Sequence, residues 1–241
     1  MKETITIMKV SKSFGKKMVL DEIDLTIKEG HIYGFIGPSG AGKTTLVKMM
    51  VGMDKPDSGT IYVLNEKVPN LKLLQEIGYM AQSDALYTEL TGKENLTFFA
   101  SLYKLSKTEI KERIAYAANI VNLTEDLSKK VAAYSGGMKR RLSLAIALIQ
   151  NPKILILDEP TVGIDPELRF SIWNELYRLK QEEGKTIIVT THVMDEAERC
   201  DYIAMVRDGS IIARGTPQEL KNIYHASNFD EVFLNAGRER S

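Results

Sequence analysis

The sequence predicts an α/β fold with a mostly parallel sheet, an N-terminal antiparallel β region and an inserted helical subdomain. Three observations carry this. Short apolar strand patterns alternate with helical ones through much of the chain, as βα units do. One of those strands runs straight into a Gly-rich loop and then a helix, between His31 and Val51. The stretch 84–150 has little strand pattern and several helix starts.

Thr4 to Val10 alternates as a strand does, and Met18 to Ile27 gives a second strand ending at the turn Glu29-Gly30. His31 to Ile36 is a short apolar strand, and Gly42 to Val51 is helical in pattern. Further strands are expected at Thr60–Leu64, Ile77–Ala81, Lys153–Leu157, Thr186–Thr190 and Tyr202–Val206. Within 84–150, Thr91-Gly92-Lys93-Glu94 and Ser106-Lys107-Thr108-Glu109 match the capping box, in which a hydroxyl and a carboxylate satisfy free N–H groups at a helix start. Asp165-Pro166 and Thr216-Pro217 begin helices with Pro at the first helical position. Asp208-Gly209 signals a hairpin turn. Phe229 to Phe233 is expected to pack as a short helix on the core.

The chain has 241 residues, long enough for one large domain or two small ones. Its 32 acidic residues balance 32 basic ones, which gives no reason to expect a nucleic-acid partner, because backbone binding needs clustered Lys and Arg. The pair Arg140-Arg141 does not change that. Cys200 is the sole cysteine, so no intrachain disulfide or multi-cysteine metal site is available, and a buried thiol is the expected state. MKETITIMKV lacks the apolar core of a secretory signal, and the longest apolar runs fall far short of the roughly 20 residues that cross a bilayer. A cytoplasmic protein is expected, acting on any membrane process from the side.

The chemistry begins at Gly37-Pro38-Ser39-Gly40-Ala41-Gly42-Lys43-Thr44, which matches G-x-x-x-x-G-K-[ST]. Its glycines let successive N–H groups face one centre, and the following helix start adds positive potential, so phosphates suit the cavity. Lys43 is expected to reach the β- and γ-phosphates and the Thr44 hydroxyl to ligate Mg²⁺. A second element, Ile154-Leu155-Ile156-Leu157-Asp158-Glu159, is an apolar strand delivering two carboxylates at its C-terminal end, where ligands of parallel α/β sheets bind. Asp158 there suits Mg²⁺, and Glu159 suits taking a proton from an attacking water.

In this order, these motifs resemble the nucleotide-binding subunit of ATP-binding cassette (ABC) transporters, over about Ile5 to Leu220. The series comprises a Walker A loop at Gly37 to Thr45, a Q-loop glutamine at Gln82, a signature at Ser135-Gly136-Gly137 and Walker B at Ile154 to Asp158 with Glu159 following. A D-loop at Gly163-Ile164-Asp165-Pro166 and a switch histidine at His192 complete it. The resemblance implies a P-loop NTPase core in a single ABC ATPase domain over 1–241. The α/β core would occupy 1–83 and 151–221, the helical signature subdomain 84–150 and a C-terminal tail 222–241.

The resemblance also implies an ATPase using ATP and Mg²⁺ at a composite site between two head-to-tail nucleotide-binding subunits, as a homo- or heterodimer. ATP would lie on Gly37, Pro38, Ser39, Gly40, Ala41, Gly42, Lys43, Thr44 and Thr45, with Phe14 stacking on adenine where the family more often has Tyr. Ser135, Gly136 and Gly137 would bind the γ-phosphate held by the other subunit. Gln82 would sense Mg²⁺ and the attacking water, His192 would contact the γ-phosphate, and Asp165 would link the two sites. The partners implied are transmembrane permease subunits, met through residues after Gln82 such as Leu86, Tyr87 and Leu90. The setting implied is peripheral to the cytoplasmic face of the cell membrane.

The commonest family signature is Leu-Ser-Gly-Gly-Gln, whereas this chain has Tyr134 before the core and Met138 after it. SGGMKRRLSLAIAL with GIDPELR resembles the export branch, which serves drug, antibiotic-peptide or lipid exporters. Two other classes stay open at this point. A soluble ABC ATPase of DNA repair or translation generally carries a coiled coil, zinc modules or tandem cassettes, none of which is found in the sequence. A regulatory module that holds ATP without hydrolysing it is opposed by Glu159 and His192.

Overall fold

The structure is a computed structural model and describes residues 2–238. Along the chain come β1 (Glu3–Phe14), β2 (Lys17–Lys28), β3 (Ile32–Ile36), α1 (Lys43–Met50), β4 (Ser58–Val63), β5 (Glu66–Lys67) and β6 (Ile77–Met80). Then follow α2 (Gly92–Ser101), α3 (Lys107–Ile120), α4 (Gly136–Leu148), β7 (Ile154–Asp158), α5 (Pro166–Glu183) and β8 (Thr186–Thr191). The chain closes with β9 (Tyr202–Arg207), β10 (Ser210–Gly215), α6 (Pro217–Ile223) and α7 (Phe229–Arg238). Two compact units result: the described residues of Met1–Leu73 with Thr186–Ser241, and Leu74–Lys185.

The first unit contains an antiparallel sheet in the order β2-β1-β4-β5. Ile5 and Ile7 alternate inward along β1, and then the register with β2 shifts before Val10, where Lys9 and Glu22 both take positive φ. Such bulges bend a strand and reset which face is buried. In the same unit β3 runs parallel to β8 on one side and β9 on the other, and β9 turns through Asp208-Gly209 into β10. All five residues of β3 are buried, as expected of a parallel strand covered on both faces. Asp208 and Gly209 have φ of 46° and 78°, the left-handed pair that a two-residue hairpin turn requires.

The expected tail helix forms as α7, with Phe229 and Val232 buried and the Arg207 guanidinium 5.7 Å from the Phe233 ring. The last three residues of the predicted tail, 239–241, lie outside the described residues. His31 precedes β3 rather than opening it, and its ring packs edge-on against Tyr33 and Tyr202. The sequence also left the β4–β5 turn unread, because Leu64 and Asn65 take φ of 50° and 65° without the glycine that usually marks such a turn.

The second unit contains the parallel pair β6–β7, with Ile77 opposite Ile154 and Met80 opposite Leu157. Helices α2, α3 and α4 fall within 84–150, as the sequence predicts. Both predicted capping boxes are formed, at Thr91/Glu94 and Ser106/Glu109. Ala147 of α4 comes so close to β6 that a Cβ on Gly78 would stand 2.0 Å from its carbonyl oxygen. Arg113 of α3 donates to the carbonyls of Leu148 and Ile149, satisfying acceptors left over at the end of α4. Helix α5 starts with Asp165 as cap and Pro166 at its first position, and Trp173 on it is fully buried.

Candidate functional site

The Gly-rich loop belongs to the first unit. It leaves β3 with Gly37 N–H donating to the Thr191 carbonyl at 3.3 Å. A Cβ on Gly37 would lie 2.0 Å from the Val206 carbonyl oxygen, so the loop can run this close to β9 only with glycine there. Gly42 caps α1 at φ 107°, a conformation open to glycine. Lys43 is buried, and its ammonium donates to the carbonyls of Gly37 at 2.7 Å and Pro38 at 3.0 Å, which holds the charge inside the loop. Pro38, Ser39 and Gly40 are exposed, Ala41 and Gly42 buried, and Thr44 and Thr45 half-buried in the first turn of α1.

His192 follows Thr191, which lies opposite Ile36 in the parallel β3–β8 pair. The register thus brings the histidine's backbone level with the start of the loop, and His192 is exposed. Phe14 is 54% exposed on the β1–β2 hairpin, so it is not a core residue. The Lys12 ammonium lies 5.3 Å from its ring centroid.

The acidic pair belongs to the second unit. Asp158 is fully buried at the end of β7, and Glu159 follows it, buried, with φ 53°. A non-glycine residue held there stores strain, a recurring property of working sites. The Gln82 amide donates to Glu159 Oε2 at 3.0 Å. The structure thereby brings together two residues that lie far apart in the sequence.

One residue at this place was missed by the sequence reading. Arg140, which in the sequence is one half of an Arg-Arg pair, is buried. Its Nη1 donates to the carbonyls of Ala81 at 2.8 Å and Gln82 at 2.9 Å, and its Nη2 to those of Asp158 and Glu159 at 2.6 Å each. Asp84 stands 3.6 Å from Nη1. Burial pulls the Arg140 pKa down and the Asp84 carboxylate pushes it back up. A signal was present: Arg140 precedes the buried Leu144, Ala147 and Leu148 by four, seven and eight residues, the spacing of one helical face.

Ser135 caps α4, its hydroxyl accepting from Met138 N–H at 3.2 Å. Ser135 and Gly136 are exposed and Gly137 half-buried. A Cβ on either glycine would meet nothing within 4 Å, so packing among the described residues does not account for glycine at these positions. Tyr134 points inward instead, buried, with its hydroxyl donating to the Asp126 carbonyl at 2.8 Å. Asp165 caps α5 through Leu168 N–H at 2.9 Å.

Mg²⁺ takes oxygen ligands and usually keeps several from water and phosphate. The Thr44 hydroxyl and the Asp158 carboxylate suit it chemically. Among the described residues no group of three or more His, Cys, Asp or Glu could hold a metal ion. No helix among the described residues is long and apolar enough to cross a membrane.

The family description "ABC transporter" matches residues 20–162. The chain is 44% identical over 238 residues to the Nod factor export ATP-binding protein I of Sinorhizobium fredii, covering 98% of this chain and 69% of that protein. It is 42% identical to the protein of the same name from Rhizobium sp. strain N33, covering 96% and 77%. Among solved structures, an ATP-binding subunit of an ABC transporter superposes with TM-score 0.88 at 26% identity, covering 97% of this chain and 99% of that one. A dimeric ATP-binding cassette in a post-hydrolysis state, bound to ADP and Pi, matches with TM-score 0.81 at 30% identity, covering 88% and 98%.

Proposed function

The chain belongs to the ABC transporter family as an ATP-binding and ATP-hydrolysing subunit, and we propose that it powers an exporter from the cytoplasmic face of the cell membrane. The name of its relatives, Nod factor export ATP-binding protein I, supports the outward direction. Transmembrane permease subunits carry the substrate and define it. Tyr87, half exposed and set edge-on against the Phe98 ring, offers them an aromatic contact, with Leu86 and Leu90 beside it in sequence.

In this reading the whole chain is one ABC ATPase domain with its helical subdomain at 84–150. The backbone from Gly37 to Thr45 and the Lys43 ammonium bind the ATP phosphates, and the exposed Phe14 ring stacks on adenine. Thr44, Asp158 and Gln82 would hold Mg²⁺, which would offset charge on the phosphate oxygens. Glu159 takes the proton of the attacking water, Gln82 helps orient that water, and His192 contacts the γ-phosphate. Two solved structures of a related cassette are dimeric. Here Ser135, Gly136 and Gly137 bind the γ-phosphate of ATP held by a second nucleotide-binding subunit, identical or different, and Asp165 links the two sites. Two ATP molecules close the dimer, and hydrolysis with phosphate release reopens it.

The exposed start of α4 carries this reading. Packing among the described residues gives no reason for its two glycines, while a capped helix start with bare backbone suits an anion arriving from outside. Copurification tests the transport assignment. The tagged chain, isolated from detergent-solubilised membranes of its own cells, is expected to bring down a membrane protein with several hydrophobic spans. Recovery of the chain from the cytosol with no such protein would instead favour a soluble ABC ATPase.

A further inference from the structure

We propose that Arg140 is a positioning residue for ATP hydrolysis: it clamps the ends of β6 and β7 so that Gln82 and Glu159 stay paired, and it ties that pair to the helix beginning at Ser135. The inference rests on the proposed role of Glu159 as the proton acceptor. The clamp is the guanidinium fork, whose two terminal nitrogens each bridge two carbonyls, those of Ala81 and Gln82 and those of Asp158 and Glu159. Each pair lies where a strand gives way to a residue with a proposed role in hydrolysis. Glu159 occupies a strained left-handed conformation, which persists only where its surroundings fix it. Charge-assisted hydrogen bonds to the carbonyls of the two peptides that flank the Glu159 Cα are suited to fix it.

Burying a guanidinium is costly, and Arg140 Nε is buried with no hydrogen-bond partner. A residue kept for packing alone would not need that charge. Arg140 also stands five residues after Ser135 on a single helix. A ligand that shifts the start of α4 therefore moves the clamp, and with it the Gln82–Glu159 pair of the same chain. This gives a physical route from the signature to this subunit's own hydrolytic residues.

The test uses the full chain in its purified, ATP-hydrolysing assembly, with R140Q, R140K, E159Q and R140Q/E159Q. R140Q is expected to lower kcat by roughly 10- to 100-fold with KM for ATP within about twofold, the signature of an interaction needed in the transition state. R140K keeps the charge but not the planar fork, so its kcat is expected to stay at least about 5-fold down. In the E159Q background, R140Q is expected to cause no further loss, since residues acting through one another are non-additive. Normal kcat in R140Q or R140K, or an undiminished further loss in the double variant, overturns the proposal for Arg140. Normal turnover in E159Q alone removes the underlying reading of Glu159, so the two failures are distinct. Should R140Q not fold, R140K with retained ATP binding decides the question by its kcat.

Discussion

At the scale of the residue, Glu159 combines burial, a left-handed backbone and a hydrogen bond from Gln82. Replacing its carboxylate with an amide keeps size and burial but removes the proposed proton acceptor. Glu159→Gln is expected to cut steady-state turnover by roughly 100-fold or more while ATP binding, measured directly, stays close to that of the parent; unchanged turnover would take Glu159 out of the chemistry. Lys43, Glu159 and Ser135 were recognisable in the sequence because each sits at fixed spacing in a motif. Arg140 was not, because an Arg-Arg pair on a helix usually faces water, and only helical periodicity places one of the two on the buried face. The strain at Glu159 was equally hidden, since no residue type announces a left-handed carboxylate.

At the scale of the element, helix starts were the most readable features. Thr91, Ser106, Asp165 and Thr216 each cap the helix expected of them, because a cap depends on residues within one turn of each other. The β4–β5 turn depends on no such local chemistry and was missed. Gly92 shows how a local motif also serves packing. It opens α2, and a Cβ there would fall 2.2 Å from the Tyr134 hydroxyl oxygen, the very residue that departs from the family's usual leucine. Gly92→Ala is therefore expected to destabilise the protein by about 1–3 kcal/mol through overpacking, read as a lower denaturation midpoint. Adding Tyr134→Phe removes the clashing oxygen and is expected to recover part of that loss. An alanine variant as stable as the parent would refute the close contact.

At the scale of the whole molecule, the order of motifs along the chain identified the family, and the matches to export ATP-binding proteins and dimeric cassettes agree with it. Strand order was far less legible. In the first unit β3 pairs with β8 and β9, Ile32 lying opposite Ile187 and Tyr33 opposite Tyr202, and parallel pairing at such separation leaves no trace in a local pattern. The signature presents a related difficulty. Ser135, Gly136 and Gly137 form a helix start, yet packing among the described residues gives the bare faces of the two glycines no use. In the proposed function a second nucleotide-binding subunit gives them one. The most direct measurement is ATPase rate per subunit across a dilution series of the purified chain. The rate per subunit is expected to fall as dilution separates the subunits; a rate that stays constant from dimer to monomer would rule out a site shared between two subunits.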